Sequence, residues 1–412
     1  MSLAFGRDHL AIPGPSIIPA RVLGAMHRAA PNIYGGELVA LTESVYADLA
    51  RLAGSAREPV LYIGNGHAAW EASLTNVFAR GERALALVTG RFGLGWARTA
   101  EALGIETALL DFGATAPADP ARVEAALRAD RRRAIKAVMT VQSDTATGVR
   151  NDLASIRAAI DAAGHPALLL VDAICSLGCE PLTMETDGVD LVVAASQKGL
   201  MTPPGLALVF PGERALEARR ASDLATPYWD WVPRIEPAVF PERFCGTPPT
   251  HHLFGLREAL DMILEEGLAN VWTRHERLAG AVWAAVDAWG AGTGTLDCHV
   301  PVPAHRSHAV TTIATAEGDA PRLRAWCERE AGVTLGIGLD LGLAPSSPDA
   351  LFRIGHMGHL NPPMLLGTLA SVDTALKALG IDHGDGALEA ASATLAVSPA
   401  GAAVGDRSRR GR

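Results

Sequence analysis

Lysine is scarce in this chain: Lys136, Lys198 and Lys377 stand against 33 arginines. A guanidinium stays protonated and cannot replace an amine nucleophile, so each lysine is a candidate for chemistry. No apolar run approaches the roughly 18 residues needed to span a bilayer. The opening "MSLAFGRDHLAIPGP" has no basic stretch leading into an apolar one, so no secretory leader is read there and a cytoplasmic address is expected. Cys175, Cys179, Cys245, Cys298 and Cys327 make neither a disulfide framework nor a paired C-x-x-C zinc pattern. The pairs His251-His252 and His356/His359 lie outside any H-E-x-x-H helix, so no metal is expected. Acidic residues are scattered and the net charge is −9. The densest basic run, "RADRRRAIK", reads as a solvated helix face, so neither nucleic acid nor membrane is expected as a partner.

What remains is a globular chain of 412 residues, 49% hydrophobic, long enough for two or three structural units. After an arm over residues 1–20, short apolar segments alternate with amphipathic ones: "PVLYI", "RALALV", "ETALLDF", "IKAVMTV", "PALLLVD", "VDLVVAA" and "GLALVF". Such a pattern predicts a mainly parallel seven-stranded sheet covered on both faces, an α/β domain over 21–268. From residue 269 to 387 a long helix, strands near "HAVTTIAT" and "LFRIGHMG" and a last helix predict a smaller α+β domain. Residues 388–412 are Ala-, Ser- and Gly-rich without periodicity and are expected to form a disordered tail.

In an open α/β sheet, ligands gather at the carboxyl ends of the strands. "VLYIGNGHAAWEA" reads as strand, glycine turn and helix, a place for an anion at a helix N-terminus. Gly64, Gly66 and Ala69 match the G-x-G-x-x-A of a dinucleotide fold, but the next strand ends in Thr89, Gly90 and Arg91 with no acid to hold a ribose. "ALLLVD" ends in Asp172, and "VDLVVAASQK" ends in Ser196, Gln197 and Lys198. Taken singly, Asp172 reads as a turn aspartate and Lys198 as a loop lysine. Together with the glycine turn they supply what pyridoxal 5′-phosphate needs. The lysine bonds to its aldehyde, the carboxylate pairs with its ring nitrogen, and the helix N-terminus takes its phosphate.

The stretch "HPALLLVDAICSLG … DGVDLVVAASQKGLMTPPGLALVF" resembles the class V, fold-type I aminotransferases, and within them the serine–glyoxylate and alanine–glyoxylate group. The resemblance runs from "IPGPSIIP" to about residue 385 and takes in "TATGV", "GLREALDMILEEGLANVWTRHERLA" and "RIGHMG". It implies a fold-type I transferase moving an amino group between a small amino acid and a 2-oxo acid, glyoxylate or pyruvate, by a ping-pong mechanism. By position, Lys198 would hold the cofactor and shift the proton, and Asp172 would pair with the pyridine nitrogen. Gly66 and His67 would cup the phosphate, with Gln197 adding a donor. Phe92 would stack on the ring and Thr145 would stand beside it. Thr247 would reach the phosphate of a neighbouring subunit, which implies a homodimer with shared active sites. Arg353 would grip the substrate α-carboxylate with its planar fork.

Three departures bear on the substrate. Tyr34, Gly35 and Gly36 replace a basic motif, Ser143-Asp144-Thr145 replaces "NET", and Gly246 stands where an aromatic is expected, with Phe244 two places earlier. Tyr34 and Gly35 are therefore taken as substrate-side residues. A branch that transaminates pyridoxamine with pyruvate shares the Asp-Thr pair and "RIGHMG" but not "SQKGLM", and ranks second. A lyase on the same scaffold would need a mobile cysteine, and Cys175 and Cys179 lie close to a core strand. A non-catalytic relative is disfavoured because Lys198 is retained.

Overall fold

A computed structural model describes residues 2–342 and 347–397. The seven predicted segments are the strands β2 (Val60–Gly64), β3 (Arg83–Val88), β4 (Glu106–Asp111), β5 (Ile135–Val141), β6 (Leu168–Asp172), β7 (Leu191–Ala195) and β8 (Gly205–Pro211). They form one sheet in the order β2-β8-β7-β6-β5-β3-β4. β8 runs antiparallel to both its neighbours, β2 and β7. β3 to β7 pair in parallel, so every strand but β8 points its carboxyl end to the same edge.

Alternate side chains along each strand serve the two faces, as the pleat requires. On one face Leu169, Val171, Val192, Ala194, Leu208 and Phe210 join one core. On the other, Leu168, Leu170, Leu191, Val193 and Val209 pack under the helices Gly66–Val77 and Arg91–Ala102. At about 1.5–3 kcal/mol for each fully buried aliphatic side chain, this double burial explains the near absence of polar residues from β6 and β7.

The smaller sheet combines β1 (His9–Ala11), β9 (Asp297–Cys298), β10 (Val310–Ala314), β11 (Val333–Ile337) and β12 (Leu351–Gly355) in the order β1-β11-β12-β10-β9. The arm is thus partly a strand: β1 pairs in parallel with β11, far along the chain. The helices Leu268–Trp289 and Pro362–Leu379 cover this sheet.

The expected tail needs correction, because residues Ala387–Ala396 form a helix. Ala387 and Ala391, one turn apart, are buried, and Arg277 holds the helix end by donating to the carbonyls of Leu395 and Val397. Alanine offers strong helix propensity but little hydrophobic contrast, so the period did not show. The rest of the expected tail, from 398 on, lies outside the described residues. No helix among the described residues is long and apolar enough to cross a membrane.

Candidate active site

The edge where β2, β3, β5, β6 and β7 end carries a cavity of about 210 Å³. Gly66, His67, Phe92, Thr145, Asp172, Gln197 and Lys198 all line it, although they come from five separate stretches of sequence. Asp172 closes β6 and is almost fully buried, 2% exposed. Its Oδ2 accepts the indole N–H of Trp70 at 2.8 Å, and its Oδ1 accepts the backbone N–H of Ile174 at 2.7 Å. Burial pushes its pKa up to about 7, against the pull of these two donors.

Lys198 follows β7, in a loop where Met201 adopts φ 54°. Its Nζ donates to the carbonyl of Pro13, and burial of the amine pulls its pKa down. The same low-polarity surroundings therefore favour the neutral form of both the acid and the amine. The other two lysines have ordinary partners. Lys136 pairs with Glu82 at 2.5 Å, more deeply placed than the surface position expected for it, and Lys377 pairs with Asp373 at 2.7 Å on an exposed turn.

The glycine turn opens the Gly66–Val77 helix. Asn65 caps it by accepting the N–H of His67 at 3.1 Å. A side chain at Gly66 would meet Ile174 at 2.5 Å, so the helix start can sit this close to the end of β6 only with glycine there. The His67 ring leans over Trp70 at a centroid distance of 4.5 Å. Trp70 lies one turn into the helix, packs edge-on to Phe92 at 6.4 Å, and joins the cup to the aspartate.

Phe92 is placed by Asp144, from the segment that departs from the family motif. Asp144 is fully buried and does not face the cavity. Its carboxylate accepts the N–H groups of Phe92 at 2.8 Å, Gly93 at 3.3 Å and Ala146 at 2.9 Å. Asp144 thus caps the Arg91–Ala102 helix from a distant loop, work that Gly90 at the N-cap position has no side chain to do.

The N-terminal segment went unread as part of the site, and it crosses the lysine directly. Gly14 has φ 102° and Lys198 lies where a Cβ would stand, so only glycine fits. Ser16 pins the same loop, donating its hydroxyl to the Lys198 carbonyl at 2.7 Å and its N–H to the Gln197 carbonyl at 2.8 Å. Cys175 lines the cavity despite its position just after a core strand. Burial pushes its thiol up to about 12, so it is held protonated and poorly nucleophilic.

Arg353, in β12, is 7% exposed and lies against the Thr145 wall. Its Nε donates to the Ile337 carbonyl and its Nη1 to the Thr145 carbonyl, both at 2.8 Å. Nη2 makes no hydrogen bond among the described residues. Arg353 opens onto a second cavity, which shares Gly14 with the first. Thr247, Tyr34 and Gly35 are not brought to the lysine cavity of their own chain. Tyr34 is 80% exposed and Thr247 lies on the surface after Cys245 and Gly246, both with positive φ.

The residues present fit pyridoxal phosphate. The walls combine a buried amine, a buried carboxyl and a helix N-terminus, and Gln197 Oε1 is buried there with no partner among the described residues, an atom that a polar ligand would satisfy. Over residues 20–343 the chain matches the family described as Aminotransferase class-V. The chain belongs to that family. This aminotransferase is 38% identical over 404 residues to a serine–glyoxylate aminotransferase of Methylorubrum extorquens, covering 96% of this chain and 97% of the relative. It is 34% identical over 384 residues to an L-aspartate–glyoxylate aminotransferase of Paracoccus denitrificans, covering 91% and 92%. Among solved structures, pyridoxamine–pyruvate aminotransferase from Mesorhizobium loti superposes with a TM-score of 0.86 at 27% identity, covering 96% of this chain and 99% of that one. The aminotransferase therefore has the fold-type I architecture expected from its sequence.

Proposed function

We propose that this aminotransferase carries pyridoxal 5′-phosphate and moves the amino group of a small amino acid, serine, alanine or aspartate, to glyoxylate or pyruvate in a ping-pong cycle. The observation that carries this reading is the joint burial of Asp172 and Lys198 in one cavity beside a capped helix N-terminus. Gly66 and His67 would hold the phosphate, Gln197 would add a donor, and Phe92 and Thr145 would flank the ring. When bound, the cofactor supplies an electron sink for the substrate's α-carbon.

The chain's own residues do the rest. Burial pulls the Lys198 amine towards its neutral form, which is the one that can attack an aldehyde and later accept the proton leaving the substrate's α-carbon. Asp172, poised near 7, ionises when a cationic ring nitrogen faces it, since an opposite charge reverses the effect of burial. Trp70 and the Ile174 amide each donate to one of its oxygens and keep the carboxyl group aimed. Arg353 is proposed to take the α-carboxylate.

Thr247 and Tyr34 would complete a site on a second copy of the chain, which supports a homodimer with shared sites in the cytoplasm. Pyridoxamine as donor is the weaker reading, because Asp144, the residue shared with that branch, is occupied as a helix cap.

Reconstitution tests the proposal. Purified protein incubated with pyridoxal phosphate is expected to show a visible absorbance band that serine, alanine or aspartate bleaches and glyoxylate or pyruvate restores. Lys198→Ala should lose the band and at least about 1,000-fold in turnover. Colourless protein after incubation, or full activity in the variant, would sink it.

A further inference from the structure

Beyond the lysine cavity lies a second one, of about 470 Å³, that no step above uses. Gly14 belongs to both, and Arg353 stands between them, bonded to the Thr145 wall of the first and lining the second. The far side is formed by the helix Asp319–Trp326, which presents Arg324. Among the described residues the Arg324 side chain makes no ion pair and no hydrogen bond, and its Nε is buried without a partner. A buried guanidinium donor left unpaired costs on the order of 1–3 kcal/mol or more, so a native fold keeps one where something else supplies the acceptor. Arg353 adds a second cation with a spare donor on the same void. Burial, with the charge of Arg324 adding to it, pulls Arg353 down to about 10.

Two guanidinium groups facing one cavity form a site for a pair of carboxylates. The acid that lines the same cavity is Glu328, four residues on from Arg324. It does not pair with Arg324, and it is exposed, so its charge faces water at the rim.

We infer that this second cavity is a subsite for a second carboxylate of the substrate, recognised by Arg324, so that the amino donor this enzyme prefers is a dicarboxylic amino acid of aspartate size. The inference rests on the transaminase reading above. It assigns the α-carboxylate to Arg353 and the side-chain carboxylate to Arg324, which line the same cavity. Planar forks suit carboxylates because each can give two parallel hydrogen bonds. Serine or alanine would leave Arg324 unpaired.

The test uses the holoenzyme with glyoxylate as acceptor and compares aspartate with alanine as donors. In Arg324→Gln the ratio of kcat/KM for aspartate over alanine is expected to fall about 30-fold, the size of a lost charge-assisted pair, mostly through KM. Glu328→Gln should lower KM for aspartate, because it removes a like charge from the rim. Succinate titrated calorimetrically into the holoenzyme should bind, and should bind at least about 10-fold more weakly in Arg324→Gln. An unchanged donor ratio together with unchanged succinate binding would overturn the subsite. If no amino acid is turned over, the transaminase reading fails by itself. Succinate binding that still depends on Arg324 would then uphold the carboxylate site independently.

Discussion

Trp70 donates its indole N–H to Asp172 at 2.8 Å, although the two residues lie on different elements. The bond ties the helix proposed to hold the phosphate to the strand end proposed to face the cofactor ring. One tryptophan thereby sets the distance between two parts of the site. Trp70→Phe keeps the aromatic packing with His67 and Phe92 but leaves the Asp172 oxygen short of a donor. About 1–3 kcal/mol is expected to be lost from the melting equilibrium, with a weaker hold on pyridoxal phosphate measured by equilibrium titration. An unchanged cofactor affinity would mean that the indole serves packing alone.

The pH dependence of stability has a definite sign. Burial raises Asp172 from 3.8 to about 7, so the native chain holds this proton more tightly than the unfolded one. Its contribution is therefore fully present below pH 4 and is lost as the pH rises towards 7. For protein stripped of cofactor, Asp172→Asn should remove this part of the slope and raise the midpoint of urea unfolding at pH 8. The same variant, reconstituted, should lose at least about 100-fold in kcat, because a neutral amide cannot pair with a cationic ring nitrogen. Parallel urea curves at pH 5 and pH 8 for the two proteins would contradict the assignment.

Gly14 is the tightest steric point over the lysine. Gly14→Ala would place a methyl group on the Lys198 side chain in a backbone conformation that alanine rarely adopts. The expected result is a slowed reaction with pyridoxal phosphate, followed by the growth of the visible band, and a turnover lower by about 10-fold or more. Binding at the wild-type rate would show that the N-terminal segment moves aside without cost.

Asp144 should behave as a support and not as a substrate contact. Asp144→Ala leaves three backbone N–H groups without their acceptor, so a loss of about 1–2 kcal/mol is expected in chemical denaturation. Cofactor affinity should fall with the loosened Phe92. The relative kcat/KM values for serine, alanine and aspartate should stay in the same order. A changed order would return Asp144 to the substrate pocket.

Much of the site was legible before any coordinates. Lysine scarcity singled out Lys198, the apolar strand ending in aspartate singled out Asp172, and the glycine turn singled out Gly66 and His67, all of which line one cavity. All three are local patterns with a local cause: a strand end, a turn, and an amine that arginine cannot replace. The capping role of Asp144 did not show in the sequence, because the helix it caps starts about fifty positions earlier and only the turn after β5 brings the two together. The helix after residue 386 was missed because alanine carries little hydrophobic signal.

The sequence by itself determined the seven strands of the large sheet and the residue types that follow β6 and β7, since each follows from short-range apolar periodicity and backbone chemistry. Only the tertiary structure decided which of them touch. It bound Trp70 to Asp172, laid Pro13 and Gly14 across Lys198, sent Asp144 to cap a helix about fifty positions away, and set Arg324 on one cavity with Arg353. These partnerships join residues far apart in the chain and depend on packing, whose geometry no local spacing encodes.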